Sequence, residues 1–536
     1  MSHPMDQRRL FVRDKDLHGS AKWADFAHHA RYGQTSPGGD FWGYGLPERD
    51  GQGAYPLYSN TLRHYLTFGP TRSNKLIATS IPRCLEHKGQ IVCIDSKNGE
   101  VAKIIAPIRE KITGRRAVIV DSWEKATSFL GRDADRFNIF DTYDPESDSF
   151  YEDVLLDAYS LVTPRNTKDP HWEDEGRSLI AGLKQHITTC PEFLFPTDDK
   201  SRSLGQLRDL LNLPPKAFKA MVAGEFSEAE DGKKTLVRPG MAQSRNKQVR
   251  GAAARILNKA EREFSGVMST AHQNTHFLES EKIRSSMSCS TFTMEEFENG
   301  EIDIYIVLPA GSLWLYSQYL RLLLAKLIRA VTKFKSKPRN PILFFVEEAA
   351  ALGRLEILQQ AFSLLAGFGI QLHLIFQDLS QLASLYKDNW QSFIANSGVI
   401  QLLATTDPFT AEYFSKYCGN TSSETLSYES MEKRAGIFTP PDFFTRGDSV
   451  NSRNLITPQE VMTLPPGMQL LFFANQPPTR AYMTAYFLDR RYRDKKDNPI
   501  YSIDPNYSHL PTPASIEFTK PGLNIEAVFH ELQMRS

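Results

Sequence analysis

Short apolar runs recur along the chain between stretches of helical spacing, and this alternation constrains the fold more than any other feature. The runs are rich in Val, Ile and Phe and show little polar alternation, which is typical of strands buried on both faces of a parallel sheet. Such strands alternating with helices predict a doubly wound α/β sheet. The eight runs cover residues 65–68, 90–95, 117–120, 302–308, 342–347, 371–376, 399–404 and 469–473.

The alternation stops between residues 169 and 295, where we expect no strand and helical spacing dominates. Because the strand pattern resumes at Ile302, this stretch is predicted to be an all-α domain inserted into the α/β domain. The helices predicted within it cover residues 172–187, 203–211, 215–222 and 243–264.

The length and these changes of pattern set the predicted domain boundaries. A chain of 536 residues is too long for a single hydrophobic core and predicts two to four domains. A stretch rich in Gly and Pro over residues 33–55 is expected to be dominated by loops. The predicted units are an N-terminal segment that packs on the α/β domain (1–60), a discontinuous α/β domain (61–168 and 296–490), the all-α domain (169–295) and a polar tail on the surface (491–536).

The charge balance excludes attraction of nucleic acid by the molecule as a whole. Lys+Arg and Asp+Glu each number 63, so any contact with DNA needs a local basic patch. In the best patch, on a predicted helix, Glu261 and Glu263 dilute the charge and favour a solvated face over a groove-reading surface. Its basic residues are Arg245, Lys247, Arg250, Arg255, Lys259 and Arg262.

Cysteine usage and the N-terminal sequence indicate a cytoplasmic protein. Five cysteines are scattered without CxxC spacing, which is typical of a reduced interior and argues against a metal site. Residues 1–13 are charged and lack the apolar core of a signal peptide. The most membrane-like run, 304–320, contains polar side chains and predicts a buried strand followed by a helix.

A glycine-led loop between a predicted strand and a predicted helix indicates a phosphate-binding loop of the G-x-x-x-x-G-K-[ST] type. In such loops backbone N–H groups cradle the phosphates, the lysine reaches the terminal phosphates, and the hydroxyl binds Mg²⁺. Here Asn74 stands for the second glycine and tolerates positive φ, whereas Leu76 stands for the hydroxyl residue and cannot ligate a metal. The loop reads Gly69, Pro70, Thr71, Arg72, Ser73, Asn74, Lys75 and Leu76.

Lys75 is the candidate ligand for the β- and γ-phosphates, with a surface lysine after a turn as the alternative. Downstream, a buried strand ends in Glu347 and Glu348. At this place in nucleotide-hydrolysing α/β proteins one carboxylate holds Mg²⁺ through water and the next polarises the attacking water. The alternative is a strand that leads into a helix whose first turn favours acids.

Polar residues also follow two further predicted strands, at the edge where open α/β sheets bind ligands. Gln377 is a candidate to sense the γ-phosphate or to position water, with a strand-capping glutamine as the equal alternative. Asp95, Lys97 and Glu100 follow the other strand. We therefore predict Glu347, Glu348 and Gln377 as the catalytic set, and the eight loop residues with Asp95 and Lys97 as the nucleotide-binding set.

Further short motifs occur in order along the chain, and the ordered set resembles the coupling proteins of type IV secretion and bacterial conjugation, the TraG/VirD-type hexameric ATPases. Each motif alone is weak, but together they cover nearly all of the sequence. They are 19–24 (the family's G-x-A-x-W-A), 69–71 (the start of GPTGSGK), 95–100 (D-x-K-G-E), 137–141 (F-N-P-L-D), 352–353, 367–370, 377 and 381–382, and the closing 464–467 and 476–478.

The resemblance implies a RecA-like P-loop ATPase whose inserted all-α domain faces the cytoplasm and helps to recognise cargo. It implies ATP as the cofactor, with Mg²⁺ as a further candidate, and a homo- or hetero-oligomer, which is a hexamer in the family. The implied partners are components of the secretion or conjugation machinery and a relaxase–DNA complex or effector protein, with DNA as a candidate in its own right. The family's transmembrane helices do not precede residue 19. We therefore expect docking at the bacterial inner membrane through partners, or a truncated or soluble branch.

The catalytic motifs depart from the family pattern at several positions. Arg72 and Asn74 replace glycines of the loop, Leu76 replaces a small or hydroxylated residue, and Glu347 stands for the metal-holding Asp. Ala366 takes the place of an arginine that can act across the subunit interface in the family, and losing such an arginine costs orders of magnitude in rate.

Three functional hypotheses follow, and whether the chain is an enzyme stays open between them. The first is a coupling-protein homologue that recognises substrate and presents it to the channel, with hydrolysis weakened or lost. The second is an active hexameric ATPase that drives transfer with Arg72 and Glu347 in place of the usual groups. The third is a DNA-binding module without motor activity, whose DNA affinity falls steeply with salt.

Overall fold

The computed structural model describes residues 19–46, 54–162, 170–191, 194–198, 201–228, 234–430 and 444–489. The predicted tail over 491–536 and the first residues of the N-terminal segment lie outside these ranges.

The strands of the described residues form one large sheet and two separate hairpins. They are β1 (Asp40–Gly45), β2 (Tyr55–Ser59), β3 (His64–Phe68), β4 (Ile91–Asp95), β5 (Arg116–Val120), β6 (Glu225–Glu228), β7 (Lys234–Arg238), β8 (Ile302–Val307), β9 (Ile342–Val346), β10 (Ile370–Phe376), β11 (Ser397–Leu402), β12 (Asn420–Ser430), β13 (Phe444–Asn454), β14 (Met468–Phe473) and β15 (Thr479–Tyr482). The large sheet has the order β2-β1-β15-β14-β11-β3-β10-β9-β4-β8-β5.

Seven neighbouring strands of this sheet, from β11 to β5, run parallel. Every residue of β3, β4 and β10 is buried, as expected for strands covered on both faces. The eight apolar runs of the sequence all form strands of this sheet, seven parallel and one, β14, antiparallel. The predicted doubly wound, mostly parallel α/β sheet is confirmed.

Four antiparallel strands extend the sheet beyond β11, in the order β14, β15, β1 and β2. The expectation of loops over residues 33–55 is therefore wrong at β1. Glycines interrupt the apolar pattern of this strand, although Phe41 and Trp42 are buried. Gly43 serves close packing, because a Cβ atom there would lie 2.4 Å from the carbonyl oxygen of Tyr482 on the neighbouring strand.

The helices alternate with these strands and fill the stretch between β5 and β8. They are α1 (Phe26–Arg31), α2 (Ile81–Glu86), α3 (Glu100–Thr113), α4 (Thr127–Leu130), α5 (Phe150–Leu161), α6 (His171–Thr189), α7 (Leu204–Leu211), α8 (Pro215–Ala223), α9 (Lys247–Leu257), α10 (Glu261–Asn274), α11 (Glu281–Ser286), α12 (Met294–Glu298), α13 (Ser317–Thr332), α14 (Glu356–Leu364), α15 (Leu379–Tyr386), α16 (Gln391–Asn396), α17 (Pro408–Tyr417) and α18 (Pro458–Met462). A π-helix covers Leu76–Ser80, and 3₁₀ turns cover Ile139–Thr142, Met241–Gln243, His276–Glu279, Ala310–Ser312, Ala349–Leu352, Leu365–Phe368, Lys387–Asn389 and Tyr486–Leu488.

The segment between β5 and β8 is largely helical, with one departure from prediction. Strands β6 and β7 form an antiparallel hairpin there, so the expectation of no strand over 169–295 is wrong. The long helix predicted over 243–264 is divided into α9 and α10, because Asn258 ends the first helix and a new one begins at Glu261. The membrane-like run 304–320 forms β8 and the start of α13, as predicted. None of the described helices has the length and apolarity needed to cross a bilayer.

A buried charge cluster ties this helical segment to the helices beside the sheet. Asp157 of α5 is fully buried and accepts hydrogen bonds from Tyr143 (2.5 Å), Lys326 of α13 (3.1 Å) and Arg329. The ammonium of Lys184 on α6 lies 3.7 Å from the same carboxylate. Burial opposes ionisation of Asp157, but the surrounding cations hold its pKa below the usual value. Removing this carboxylate would leave buried cations unpaired, which is strongly destabilising.

Candidate nucleotide-binding site

The loop between β3 and the π-helix has the backbone of a phosphate-binding loop although two of its glycines are replaced. Arg72 has φ 65° and Asn74 has φ 60°, so both occupy the left-handed region that glycine favours. The prediction that Asn74 would tolerate the turn is confirmed. The loop is anchored at both ends, where Gly69 N–H donates to Phe376 O (2.9 Å) and Ala78 N–H donates to Asn74 O (2.9 Å).

Position 69 has no room for a side chain and therefore requires glycine. A Cβ atom at this position would lie 2.7 Å from Leu403 Cδ1 and 2.9 Å from Ser73 Oγ. Leu403 follows β11, and its N–H donates to Phe68 O (2.8 Å), which holds its side chain against the loop. The sequence did not indicate a role for Leu403 at this site. Its position at the end of an apolar run was the one feature that placed it near the edge of the sheet.

After the loop, the chain enters a π-helix at Leu76 rather than an α-helix. Single π turns occur frequently at functional sites. The Leu76 side chain is buried in an apolar cluster with Ile77 and Ile81, and thus takes part in the core at the position where a metal-binding hydroxyl was sought. The next hydroxyl residues, Thr79 and Ser80, are buried and do not line the cleft beside the loop.

Lys75, the candidate phosphate ligand, is buried and lines the cleft beside the loop. Its ammonium donates to Gly69 O (3.2 Å) and lies 4.0 Å from Glu348 Oε2. Only 5% of the side chain is exposed, and burial lowers its pKa, whereas Glu348 opposes that shift. The surface-lysine alternative does not fit this burial.

Glu347 lies immediately after β9 and is completely buried. Its Oε1 accepts a hydrogen bond from the ammonium of Lys97 at 2.7 Å, and its Oε2 has no hydrogen-bond partner in the described part of the chain. Burial raises the pKa of Glu347, and the nearby Lys97 limits the rise. The carboxylate predicted to hold a metal therefore contacts an ammonium group of the same chain.

Asp95 is placed differently from the prediction. Its two carboxylate oxygens accept the backbone N–H groups of Lys97 (3.0 Å) and Ala102 (2.9 Å), and it does not line the cleft. Burial and the neighbouring Glu347 raise the pKa of Asp95 to about 6. Its contacts order the turn that leads into α3 and thereby position Lys97.

Gln377 and Glu348 come together at the ends of β10 and β9. The Gln377 side-chain nitrogen lies 3.4 Å from each carboxylate oxygen of Glu348, and its backbone N–H donates to Gln381 Oε1 (2.9 Å). Gln377 thus contacts the second acid of the predicted pair. Ala366, at the position of the family's arginine, lies in a 3₁₀ turn before β10, at the opposite end of that strand.

The phosphate-binding loop, Lys97 and Glu348 line a cleft of about 200 Å³ at the carboxyl edge of the parallel sheet, whereas Asp95, Glu347 and Gln377 of the predicted set do not line it. Ligand pockets for drug-sized molecules are larger, about 300–1,000 Å³, so the cleft is of a size for phosphate groups rather than a whole nucleotide. Two larger cavities, of about 320 and 740 Å³, lie away from these side chains and are lined partly by the loop before β9. The lining residues of the cleft are Thr71, Arg72, Ser73, Asn74, Lys75, Leu76, Ile77, Lys97, Glu100 and Glu348.

Together the sheet and the loop define the class of a RecA-like P-loop protein, in which a phosphate-binding loop connects a central parallel strand to a helix. The family model described as Type IV secretory system Conjugative DNA transfer matches residues 14–507. The chain belongs to this family of type IV coupling proteins.

Two relatives illustrate the similarity. The chain is 25% identical over 430 residues to Conjugal transfer protein TraG of Rhizobium radiobacter, a match that covers 79% of this chain and 62% of TraG. It is 25% identical over 532 residues to Protein VirD4 of Agrobacterium fabrum, covering 96% of this chain and 71% of VirD4. The match thus spans less than two thirds of the length of TraG.

Solved structures share the fold. The bacterial conjugative coupling protein TrwBdeltaN70 in complex with sulphate aligns with a TM-score of 0.61 and 15% identity, over 87% of this chain and 94% of TrwB. The plasmid coupling protein TrwB in complex with ADP and Mg²⁺ aligns with a TM-score of 0.58 and 16% identity over the same shares of 87% and 94%.

Proposed function

We propose that this protein is a coupling-protein homologue that recognises a relaxase–DNA complex or an effector protein and presents it to a type IV secretion or conjugation channel, with nucleotide hydrolysis weakened or lost. Family membership supports the transfer role. The observation that carries the loss of hydrolysis is the pairing of Glu347 with Lys97 beside a buried Leu76, where the usual chemistry needs free oxygen ligands.

The second acid supports the same conclusion. Glu348 lies within reach of the Lys75 ammonium and the Gln377 amide. These contacts engage the carboxylate with groups of the same chain, whereas a general base must lie within hydrogen-bond reach of the water whose proton it takes.

The remaining parts of the proposal concern assembly. The helical segment from α6 to α11, within the predicted domain 169–295, is our candidate for cargo recognition. An oligomer, hexameric by family resemblance, and docking at the inner membrane through partners complete the proposed arrangement.

The basic residues of α9 and α10 are a weaker DNA site than their number suggests, because Lys259 pairs with Glu175 (2.8 Å) and Glu263 (2.7 Å).

The alternative is an active hexameric ATPase, and the intact loop favours it. Positive φ at Arg72 and Asn74 preserves the turn, and Lys75 is in place at the cleft. The exposed side chain of Arg72 could supply positive charge to a phosphate, in the role that an arginine finger has elsewhere.

ATP turnover by the purified protein distinguishes these two functions. Turnover is measured with and without DNA and over a range of protein concentrations. Light scattering reports the oligomeric state at each concentration, because a site shared between subunits acts only in the oligomer. We expect no turnover above that of the Lys75→Ala variant. Turnover that Lys75→Ala abolishes contradicts the loss of hydrolysis and supports the active ATPase.

A DNA-binding module without motor activity has a separate test. DNA affinity is measured across a series of salt concentrations for the protein and for a variant carrying Arg255→Ala and Arg262→Ala. When binding depends on phosphate contacts, the logarithm of the association constant falls linearly with the logarithm of the salt concentration. Undetectable or salt-insensitive binding rules out this third function.

A further inference from the structure

The residues at the cleft do not fit a divalent metal ion. Leu76 is apolar and buried at the position of the hydroxyl ligand, and Glu347 Oε1 accepts a hydrogen bond from Lys97. Among the described residues, no group of three or more His, Cys, Asp and Glu side chains is arranged to hold a metal. Mg²⁺ favours near-octahedral oxygen coordination, so an ammonium on its carboxylate ligand opposes its binding.

Lys97 places a positive charge at the cleft, beside the carboxylate of Glu347. Its ammonium is 2.7 Å from the buried Glu347, while 32% of its side chain is exposed and lines the cleft. It therefore contacts the carboxylate on one side and faces the cleft on the other. The backbone around it is fixed, because Asp95 accepts the Lys97 N–H at 3.0 Å.

We propose that this cleft binds the phosphate groups of a nucleotide without a divalent cation, and that the ammonium of Lys97 supplies, together with Lys75, the positive charge that Mg²⁺ supplies in related sites. The inference deepens the proposed function, because it concerns the same cleft. An ammonium supplies three N–H donors and one charge in place of the two charges of the metal.

One consequence follows from this replacement. We expect free nucleotide to bind at least as tightly as its Mg²⁺ complex, because the metal would bring a further cation against Lys97.

Equilibrium binding of a fluorescent ADP analogue to the full chain tests the proposal, once in excess EDTA and once in excess Mg²⁺. The variants are Lys97→Gln, which keeps a hydrogen-bond donor for Glu347 without the charge, and Lys111→Ala, which removes an exposed lysine from the far end of α3, the helix that follows Lys97. Thermal unfolding of each variant shows whether it is folded, and the EDTA-to-Mg²⁺ comparison needs no variant at all.

We expect the wild-type affinity for the analogue in EDTA to equal or exceed that in Mg²⁺. Lys97→Gln should weaken binding in EDTA about tenfold, because it removes a charge-assisted hydrogen bond. Lys111→Ala should have no effect. Binding that is at least tenfold tighter with Mg²⁺, or no binding in either condition, overturns the proposal. ATP turnover measured in parallel separates the two ideas. Mg²⁺-dependent binding without turnover overturns only this inference, whereas metal-independent binding with turnover overturns only the loss of hydrolysis.

Discussion

Lys75 and Glu348 face each other across the cleft, with the ammonium 4.0 Å from a carboxylate oxygen. The lysine belongs to the loop after β3 and the acid to the turn after β9, so the contact joins two strands of the sheet that are separated only by β10. Any phosphate that enters competes with Glu348 for this ammonium. The pair therefore sets how tightly the cleft binds an anion.

Substitution of the loop lysine tests the phosphate-binding role. Lys75→Ala is expected to weaken nucleotide binding about 10–100-fold, since a hydrogen bond to a charged group contributes about 1.5–3 kcal/mol. Isothermal titration calorimetry measures the effect, with Lys111→Ala as the control on an exposed lysine. An unchanged affinity would place the phosphates elsewhere.

Substitution of the opposing acid should act in the other direction. Glu348→Gln removes the negative charge but keeps a side chain of the same shape, so nucleotide affinity is expected to rise several-fold as the competition for Lys75 ends. The same titration measures it. A fall in affinity would show that Glu348 assists binding and would argue for a hydrolytic site.

The two left-handed residues of the loop predict opposite effects on stability. Arg72→Gly is expected to be neutral or stabilising by up to about 1 kcal/mol, because a left-handed conformation costs roughly 1–2 kcal/mol for most side chains. Asn74→Val should cost about 1–2 kcal/mol, because a β-branched residue strongly disfavours this φ. Thermal unfolding monitored by circular dichroism measures both. Equal effects of the two substitutions would contradict the observed backbone.

A buried ion pair beneath the sheet predicts a much larger effect. Arg109 donates to the Asp303 carboxylate at 2.7 Å, and each side chain is 1% exposed. Three backbone carbonyls also accept from Arg109, those of Cys84, His87 and Gly89, each at 2.7 Å. Arg109→Met is expected to lower the free energy of unfolding by about 3–5 kcal/mol, because it leaves a buried carboxylate without its cation and removes the Arg109 hydrogen bonds to these carbonyls.

Urea unfolding measures that loss. The double variant Arg109→Met with Asp303→Leu should recover only part of it, since the carbonyl groups still lack Arg109 and the Ile91 N–H, which donates to Asp303 at 2.9 Å, loses its acceptor. Full recovery would show that these remaining hydrogen bonds contribute nothing.

Acid sensitivity is expected from His64. Its Nδ1 accepts the Leu372 N–H (3.0 Å), so its Nε2 carries the proton and donates to Ala361 O (2.9 Å). Burial lowers the pKa of His64 to about 4, against an ordinary value of 6.5. The unfolded chain binds this proton first, so stability is complete above pH 6.5 and is lost as pH falls towards 4, by about 3 kcal/mol from this group.

Urea unfolding at pH 7 and pH 5 measures this loss in the wild type and in His64→Gln. The variant should lose less stability between the two pH values than the wild type does. Equal losses would assign the acid sensitivity to other groups.

The sequence predicted the parallel core because its strands are apolar without interruption. It did not predict β1, in which Gly43 and Gly45 break the pattern. Nor did it predict the antiparallel pair β12–β13, because the sequence of both strands is mostly polar and contains no apolar run. Strand propensity depends strongly on context, so strands that contain glycines or mostly polar residues carry a weaker sequence pattern.

At the site, local residues were predictable and long-range pairs were not. The turn conformation at Asn74 follows from residue type and a known loop geometry. The contact between Lys97 and Glu347 depends on β4 and β9 being neighbours in the sheet, which neither motif encodes. For the same reason the sequence could not show that Asp95 orders the turn before α3 instead of facing the cleft.

The order of strands in the sheet also determines when the protein can fold during its synthesis. Strand β3 ends at Phe68, yet its two neighbours begin only at Ile370 (β10) and Ser397 (β11), and β1 pairs with β15 at residues Tyr44 and Tyr482. At about 5–20 residues per second, the central strand waits for tens of seconds with its backbone groups unpaired. The loop that follows β3 therefore acquires its shape only after β10 and β11 have been synthesised, and we expect the unpaired edges of β3 to be open to aggregation until then.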